Sequence, residues 1–517
     1  MSVAVANHED LVEYGSRRWL IVLGVMSATL LQVLDATIVN VALPTIQGNL
    51  GANFSEGAWI VTGYIIAAVI VIPLTPWLQQ VLGRRNYYVM AIAGFTLTSA
   101  LCGIASSLDE LIFFRVLQGL CGGGLISTGQ AIMRDTFPAK EIGRSQALVA
   151  LGAVVGPSLG PTLGGILTDA LSWNWIFYIN IIPGIASAIL CFTLLKDPVR
   201  VARRSIDGVG LALLAAGLGS LQYVLDEGER NDWFADPTIR ALGIVAVLGI
   251  CGFIYWELRG TKNPIVDLRI LKNRTVASGC LLAMALAFSL FGGVILSPQF
   301  QQSLLNFTAT LSGESILLRA VAIAAMTPIT LILLNKLKAK PWAILGIGFL
   351  IVAAANVWNA RVITTDSQFS TFAAALILGG IGFGLLFVPL SVAVLSSVRG
   401  PDTQKATSLL SLCQQLGGSI STATFVTVIG RRTATHLDTL AATVTARNTN
   451  VERFLAHAPP AKLFALVGQQ AATLAFADAF YILGAITLLL TPLVLLLRAG
   501  SPAAKGRAQT RQTDATS

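Results

Sequence analysis

What most restricts this chain is a series of apolar runs, each about twenty residues or longer, that recur from residue 18 to residue 498. A helix rising 1.5 Å per residue needs about twenty of them to cross roughly 30 Å of hydrocarbon. The runs lie near 18–43, 56–79, 86–106, 109–129, 143–167 and 173–195, then 207–226 and 239–258, then 276–297, 312–334, 341–360, 370–396, 403–430 and 475–498. They group as six, two and six. Composition agrees: 54% of the 517 residues are hydrophobic and 12% charged, where a soluble domain carries about a quarter charged residues. A water-soluble globule is excluded, and the expected class is an all-α polytopic membrane protein with 14 transmembrane helices. The first run follows Arg17 and Arg18 and exceeds the apolar core of a cleaved signal peptide, so it reads as a retained span.

Lysine and arginine test the span count, because they collect on the cytoplasmic side of short connections. Arg17 and Arg18, then Arg84 and Arg85, then Arg134, Lys140 and Arg144, then Lys196, Arg200, Arg203 and Arg204 occupy every second connection. The alternation continues with Arg259, Lys262, Arg269, Lys272 and Arg274, with Lys336, Lys338 and Lys340, with Arg399 and Lys405, and with Arg498, Lys505, Arg507 and Arg511. Both termini are expected in the cytoplasm. The segment 431–474 departs from the rule, since it should be external yet carries Arg431, Arg432, Arg447, Arg453 and Lys462. Long connections translocate with little regard to charge, and its mixed character suits an interfacial amphipathic hairpin. The organisation expected is a tail over 1–17, a six-helix bundle over 18–196, two additional helices over 207–258, a second six-helix bundle over 276–498 that includes the external loop 431–474, and a tail over 499–517.

The net charge of +9 fits loops facing anionic lipid better than nucleic-acid binding. Six cysteines lie within or beside apolar runs without CxxC spacing, and His8, His436 and His457 lie in polar segments. No metal site, cofactor or histidine proton relay is expected.

Asp35 stands near the middle of LLQVLDATIVNVALP, where an unpaired charge costs several kcal/mol. It must face a partner, face a cavity or hold a proton; if it meets water from each side in turn it can take a proton on one side and release it on the other. A packing hydrogen bond shared with Gln32, Thr37 or Asn40 is the structural alternative. Arg115, in ELIFFRVLQGLCGGG, sits about two turns into the fourth span with Gln118 three residues on. It either tunes a nearby acid or extends toward the headgroups. Arg319 also falls in a span and needs an explanation. In the fifth span Gly152, Gly156, Gly160 and Gly164 recur every four residues, with Pro157 and Pro161 alongside. Glycines at that spacing let another backbone approach, and the prolines predict a bend.

These residues together resemble the fourteen-helix drug:proton antiporters of the major facilitator superfamily, in particular the EmrB/QacA subfamily, over nearly the whole chain. LDATIVNVALP resembles the first-helix motif, which places the family's acid at Asp35 and its polar and proline positions at Thr37, Asn40 and Pro44. FFRVLQGLCGG is similar to the fourth-helix motif, whose arginine is implicated in proton transfer and is here Arg115. GAVVGPSLGPTLGG, from Gly152 to Gly165, resembles the antiporter motif, and WNWIFYINIIPG the start of the sixth helix, with Asn180 and Pro183. The gating loop after the second helix, PWLQQVLGRRN, keeps Gly83, Arg84 and Arg85 but has Gln80 where the family has an aspartate. The resemblance implies two six-helix bundles plus two extra helices in the cell inner membrane, and proton-coupled efflux of hydrophobic organic compounds by alternating access. It implies no enzyme. A uniporter or importer of a specific metabolite on the same fold is the alternative. The implied partners are a small hydrophobic substrate, protons, membrane lipid and, as in relatives from double-membrane bacteria, a periplasmic adaptor and an outer-membrane channel. No GxxxxGK[ST] loop for nucleotide is present in the sequence.

Overall fold

A computed structural model describes residues 11–52, 54–197, 207–261, 264–398, 400–444 and 459–500, with positions 451, 453, 454 and 457. Among these the regular structure is helical throughout. The first six helical units are α1 (Gly15–Leu50), α2 (Phe54–Leu82), α3 (Arg84–Ile104), the broken pair α4 (Leu108–Gly122) and α5 (Leu125–Thr136), α6 (Ile142–Ala170), and a second broken pair α7 (Trp175–Tyr178) and α8 (Ile181–Leu194). Two further helices follow, α9 (Gly208–Glu227) and α10 (Pro237–Tyr255). The second set is α11 (Arg274–Ser303), α12 (Ala309–Asn335), α13 (Pro341–Val362), the broken α14 (Phe369–Gly384) and α15 (Phe387–Ser396), α16 (Pro401–Thr443) and α17 (Pro460–Leu490), continued by α18 (Leu495–Gly500).

Twelve of these helical segments are long and apolar enough to cross a membrane. The two long helices outside that set are α6, with its glycine stripe, and α16, whose sequence is rich in Ser, Thr and Gln. Several helix starts carry side-chain caps. Ser107 accepts from the Glu110 amide, Asp236 from the Thr238 and Ile239 amides, Asn273 from Thr275 and Thr308 from Leu311. Each such cap satisfies an N–H that the first helical turn leaves without a partner.

Most of the described part of the segment 431–474 is helical. Residues 431–443 prolong α16 and residues 460–474 begin α17. The run from Arg431 to Thr443 holds no Gly or Pro, so nothing stops the helix where hydropathy falls. At 43 residues α16 is roughly 64 Å long, about twice the hydrocarbon thickness, and its end must project beyond the layer. His436 on this extension lies 2.9 Å from the Asp478 carboxylate on α17, with Arg432 at 3.6 Å, which ties the two helices together. Residues 1–10, 198–206 and 501–517, and the cations Lys262, Arg399 and Arg447, fall outside the described residues.

The two sets of six meet along α6 and α12. A Cβ at Gly143 would touch Leu331, and one at Gly313, near the opposite end of α12, would touch Thr162. Helix α9 bridges the sets: Trp59 on α2 stacks at 5.4 Å on Tyr223, and Gln222 exchanges hydrogen bonds of 2.9 and 3.0 Å with Ser419 on α16. Basic residues gather at one end. There Arg18 pairs with Glu141 at 3.2 Å, Lys196 with Glu13 at 2.8 Å and Arg84 with Asp135 at 2.6 Å. The turns after the second helix of each set both use a left-handed residue, Gly83 at φ 82° and Lys338 at φ 48°.

Candidate functional site

Asp35 is fully buried inside the first set of helices, and three donors converge on it. Arg115 Nη1 on α4 lies 2.6 Å from Oδ2. Gln118 Nε2, one helical turn further along α4, donates to Oδ1 at 3.1 Å, and Asn180 Nδ2, just before α8, donates to the same oxygen at 3.1 Å. Arg115 is held in its turn: Nε donates to the Ile60 carbonyl at 3.1 Å, Nη1 also reaches Gln118 Oε1 at 2.7 Å, and the guanidinium lies 4.2 Å from the centre of the Tyr64 ring. Asn180 Nδ2 also reaches Ser99 Oγ at 3.0 Å, and Ser99 donates to the Phe177 carbonyl at 2.9 Å. Five helical positions therefore supply one connected network: the first (Asp35), second (Ile60, Tyr64), third (Ser99), fourth (Arg115, Gln118) and sixth (Phe177, Asn180).

Ion pairing with additional hydrogen bonds is what lets two charges persist away from water, since Coulomb attraction alone seldom repays desolvation. Arg115 points inward to Asp35 and not toward the headgroups. The packing partners expected for Asp35 on its own helix are employed elsewhere. Thr37 Oγ1 donates to the Leu34 carbonyl at 3.1 Å, Gln32 Oε1 accepts from the Ile126 amide at 3.1 Å, and Asn40 and Pro44 are exposed.

The glycine stripe of α6 packs against the helix that carries Asp35. A Cβ at Gly152 would meet Met26, one at Gly156 Val33, one at Gly160 Thr37 and one at Gly164 the Ile38 carbonyl. These contacts climb α1 past Asp35, so the close backbone approach runs along the flank of the ion pair. Gly165 is buried beside them. Pro157 and Pro161 lie in the same continuous helix, and their side chains fall outside the described residues.

At the basic end, Gly83, Arg84 and Arg85 form a turn anchored by two acids that sequence reasoning did not single out. Arg85 N–H donates to Asp197 Oδ1 at 2.7 Å and Arg84 Nη1 to Asp135 Oδ2 at 2.6 Å. Gly83, left-handed, lets Asp197 approach, whereas Gln80 is half-buried. Arg134, expected in an exposed connection, is buried at the end of α5. It pairs with Asp135 at 2.8 Å and donates to the Val398 carbonyl at 2.9 Å, beyond the end of α15, so it crosses from one set of helices to the other. A cation at a helix C-terminus meets unsatisfied carbonyls and the negative end of the dipole. The adjacent Arg134-Asp135 dipeptide was the available signal.

Among the described residues no group of three or more His, Cys, Asp or Glu is placed to hold a metal ion.

A family model described as Major Facilitator Superfamily matches residues 25–422. The chain belongs to that superfamily. Its relatives place it in the EmrB-like branch. It is 36% identical over 440 residues to the multidrug export protein EmrB of Escherichia coli strain K12, covering 85% of each chain. It is 34% identical to EmrB of Haemophilus influenzae, covering 81% of each. Among solved structures, the proton:xylose symporter XylE superposes with a TM-score of 0.59 at 14% identity, over 92% of this chain and 94% of that one, which speaks for the fold alone. The chain is thus a multi-pass membrane protein of a transporter superfamily: the apolar runs gave its all-α class, and the resemblance of its motifs gave the major facilitator fold.

Proposed function

We propose that this protein exports hydrophobic organic compounds across the cell inner membrane in exchange for protons, by alternating access. The observation that carries the reading is the Asp35-Arg115 ion pair, enclosed at the centre of the first set of helices and flanked by a backbone track on α6. Protonation of Asp35 removes one half of the pair. Arg115 would then keep Gln118, the Ile60 carbonyl and the Tyr64 and Phe177 rings but no counter-charge, so the preferred packing of α1 against α4 and α6 changes with the proton. Protons arriving from outside release cargo and permit the return; loss inside favours rebinding. One elementary charge moved through the full potential supplies about 2.3 kcal/mol per 100 mV, a bias of more than tenfold. The names of the EmrB relatives support drug export as the direction.

The reading takes residues 18–196 and 276–498 as the two bundles that rock against each other, with 207–258 bridging them and α6 and α16 crossing along with the twelve apolar segments. The basic end is cytoplasmic with both termini, as its cluster of arginines and lysines supports. The projecting ends of α16 and α17 then lie outside, where a periplasmic adaptor leading to an outer-membrane channel would dock.

The test is efflux from everted vesicles under an imposed pH gradient, comparing the parent with Asp35→Asn. Export driven by the gradient should be lost in the variant while substrate still binds. Undiminished proton-driven export would sink the coupling role and leave the fold standing.

A further inference from the structure

The second set of helices holds a cation with a different environment. Arg319, on α12, is buried, with 6% of its surface exposed, and has neither a hydrogen bond nor an ion pair among the described residues. Its Nη1 lies over Gly293, 2.9 Å from where a Cβ would stand, so the absence of a side chain there makes room for the guanidinium. It lines a small cavity of about 10 Å³ together with Ser297, Asn356 and Asn359, all buried. That is room for a single compact group. The rest of the lining is Ser289 and apolar or glycine residues, and none of it is acidic.

The helices that form this cavity are α11, α12, α13, α14 and α17, which are the first, second, third, fourth and sixth units of their set. The same five positions of the first set build the Asp35 network. One site is filled with its own carboxylate, and the other offers a guanidinium, two amides and a hydroxyl whose N–H and O–H groups can donate to an anion. A buried guanidinium without a counter-charge is costly in lipid, and a compact anion removes that cost. We propose that Arg319, with Ser297, Asn356 and Asn359, is an anion site that takes one compact monoanionic group, either a halide ion or the carboxylate tip of a cargo molecule. The small volume excludes a bulky anionic group.

The experiment needs no turnover, so its outcome is separate from that of the Asp35→Asn vesicle assay. Thermal unfolding of the purified full-length protein in detergent is followed at constant ionic strength, with gluconate replaced stepwise by chloride and, in a second series, by octanoate. The parent should show a saturable rise in Tm with chloride, octanoate or both. Arg319→Gln should show none, and Asn359→Ala should need about tenfold more anion for half-saturation, as expected for one hydrogen bond lost to a charged ligand. A response to chloride alone assigns a resident halide; an octanoate response that chloride competes away assigns a cargo carboxylate. A parent Tm indifferent to both anions, or an Arg319→Gln protein that responds like the parent, overturns the site.

Discussion

Asp35 and Arg115 were each conspicuous as charges within apolar spans, but that they face each other took the fold to see. What the chain could not disclose was the enclosure: Ser99, the Ile60 carbonyl and Tyr64 carry no sequence mark, because a serine, a carbonyl or a tyrosine in a membrane helix is ordinary. The pair's energetic unity is testable. Arg115→Leu leaves a carboxylate buried among donors that cannot neutralise it, and should cost about 3–5 kcal/mol, the usual penalty for breaking a buried pair from one side. Replacing both charges, Asp35→Leu with Arg115→Leu, should recover most of that loss, because a buried pair and an apolar pair differ little. Unfolding midpoints in detergent for the two single variants and the double one measure this. If the double variant falls by the sum of the singles, the two residues are not acting as one unit. Vesicles of every variant should fail to couple export to the proton gradient.

At the scale of elements, the four-residue glycine repeat announced a close helix contact but not its partner, since the stripe says only that something approaches. That partner is α1, and the deepest approach is at Gly160, where an added Cβ would overlap Thr37 Oγ1. Gly160→Leu should therefore cost about 1–3 kcal/mol by overpacking and should slow export, because it pushes α6 off the helix that carries Asp35. Gly48→Ala provides the contrast. It lies on the same α1 helix with nothing within 4 Å of its added Cβ, so it should leave export intact and stabilise by about 0.5–1 kcal/mol through helix propensity alone. Equal effects from the two substitutions would mean that the α1-α6 contact is not special. Hydropathy misjudged α16 for a related reason. Its far end is polar, so the apolar run ends near residue 430, but helix formation follows backbone propensity and neighbouring α17 as well as lipid.

Across the whole molecule, the recurring apolar runs made the all-α membrane architecture legible, since crossing lipid imposes a length rule on every helix. The contacts between the two sets were not legible, because they join residues far apart in sequence, such as Arg134 to Val398 and Thr162 to Gly313. Alternating access requires the second of these contacts to open. A Cβ at Gly313 would lie 3.1 Å from that of Thr162, a few tenths of an ångström inside the usual range of about 3.5–4.5 Å for a disulfide, so cysteines at both positions can bridge after a small adjustment. The protein carrying Thr162→Cys and Gly313→Cys should cross-link α6 to α12 on mild oxidation, lose export in everted vesicles and regain it on adding a reductant. Either single variant should respond to neither treatment. Export that continues at the parent's rate through a fully formed cross-link would show that these two ends stay together through the cycle, and the opening would then have to occur elsewhere along the interface between the sets.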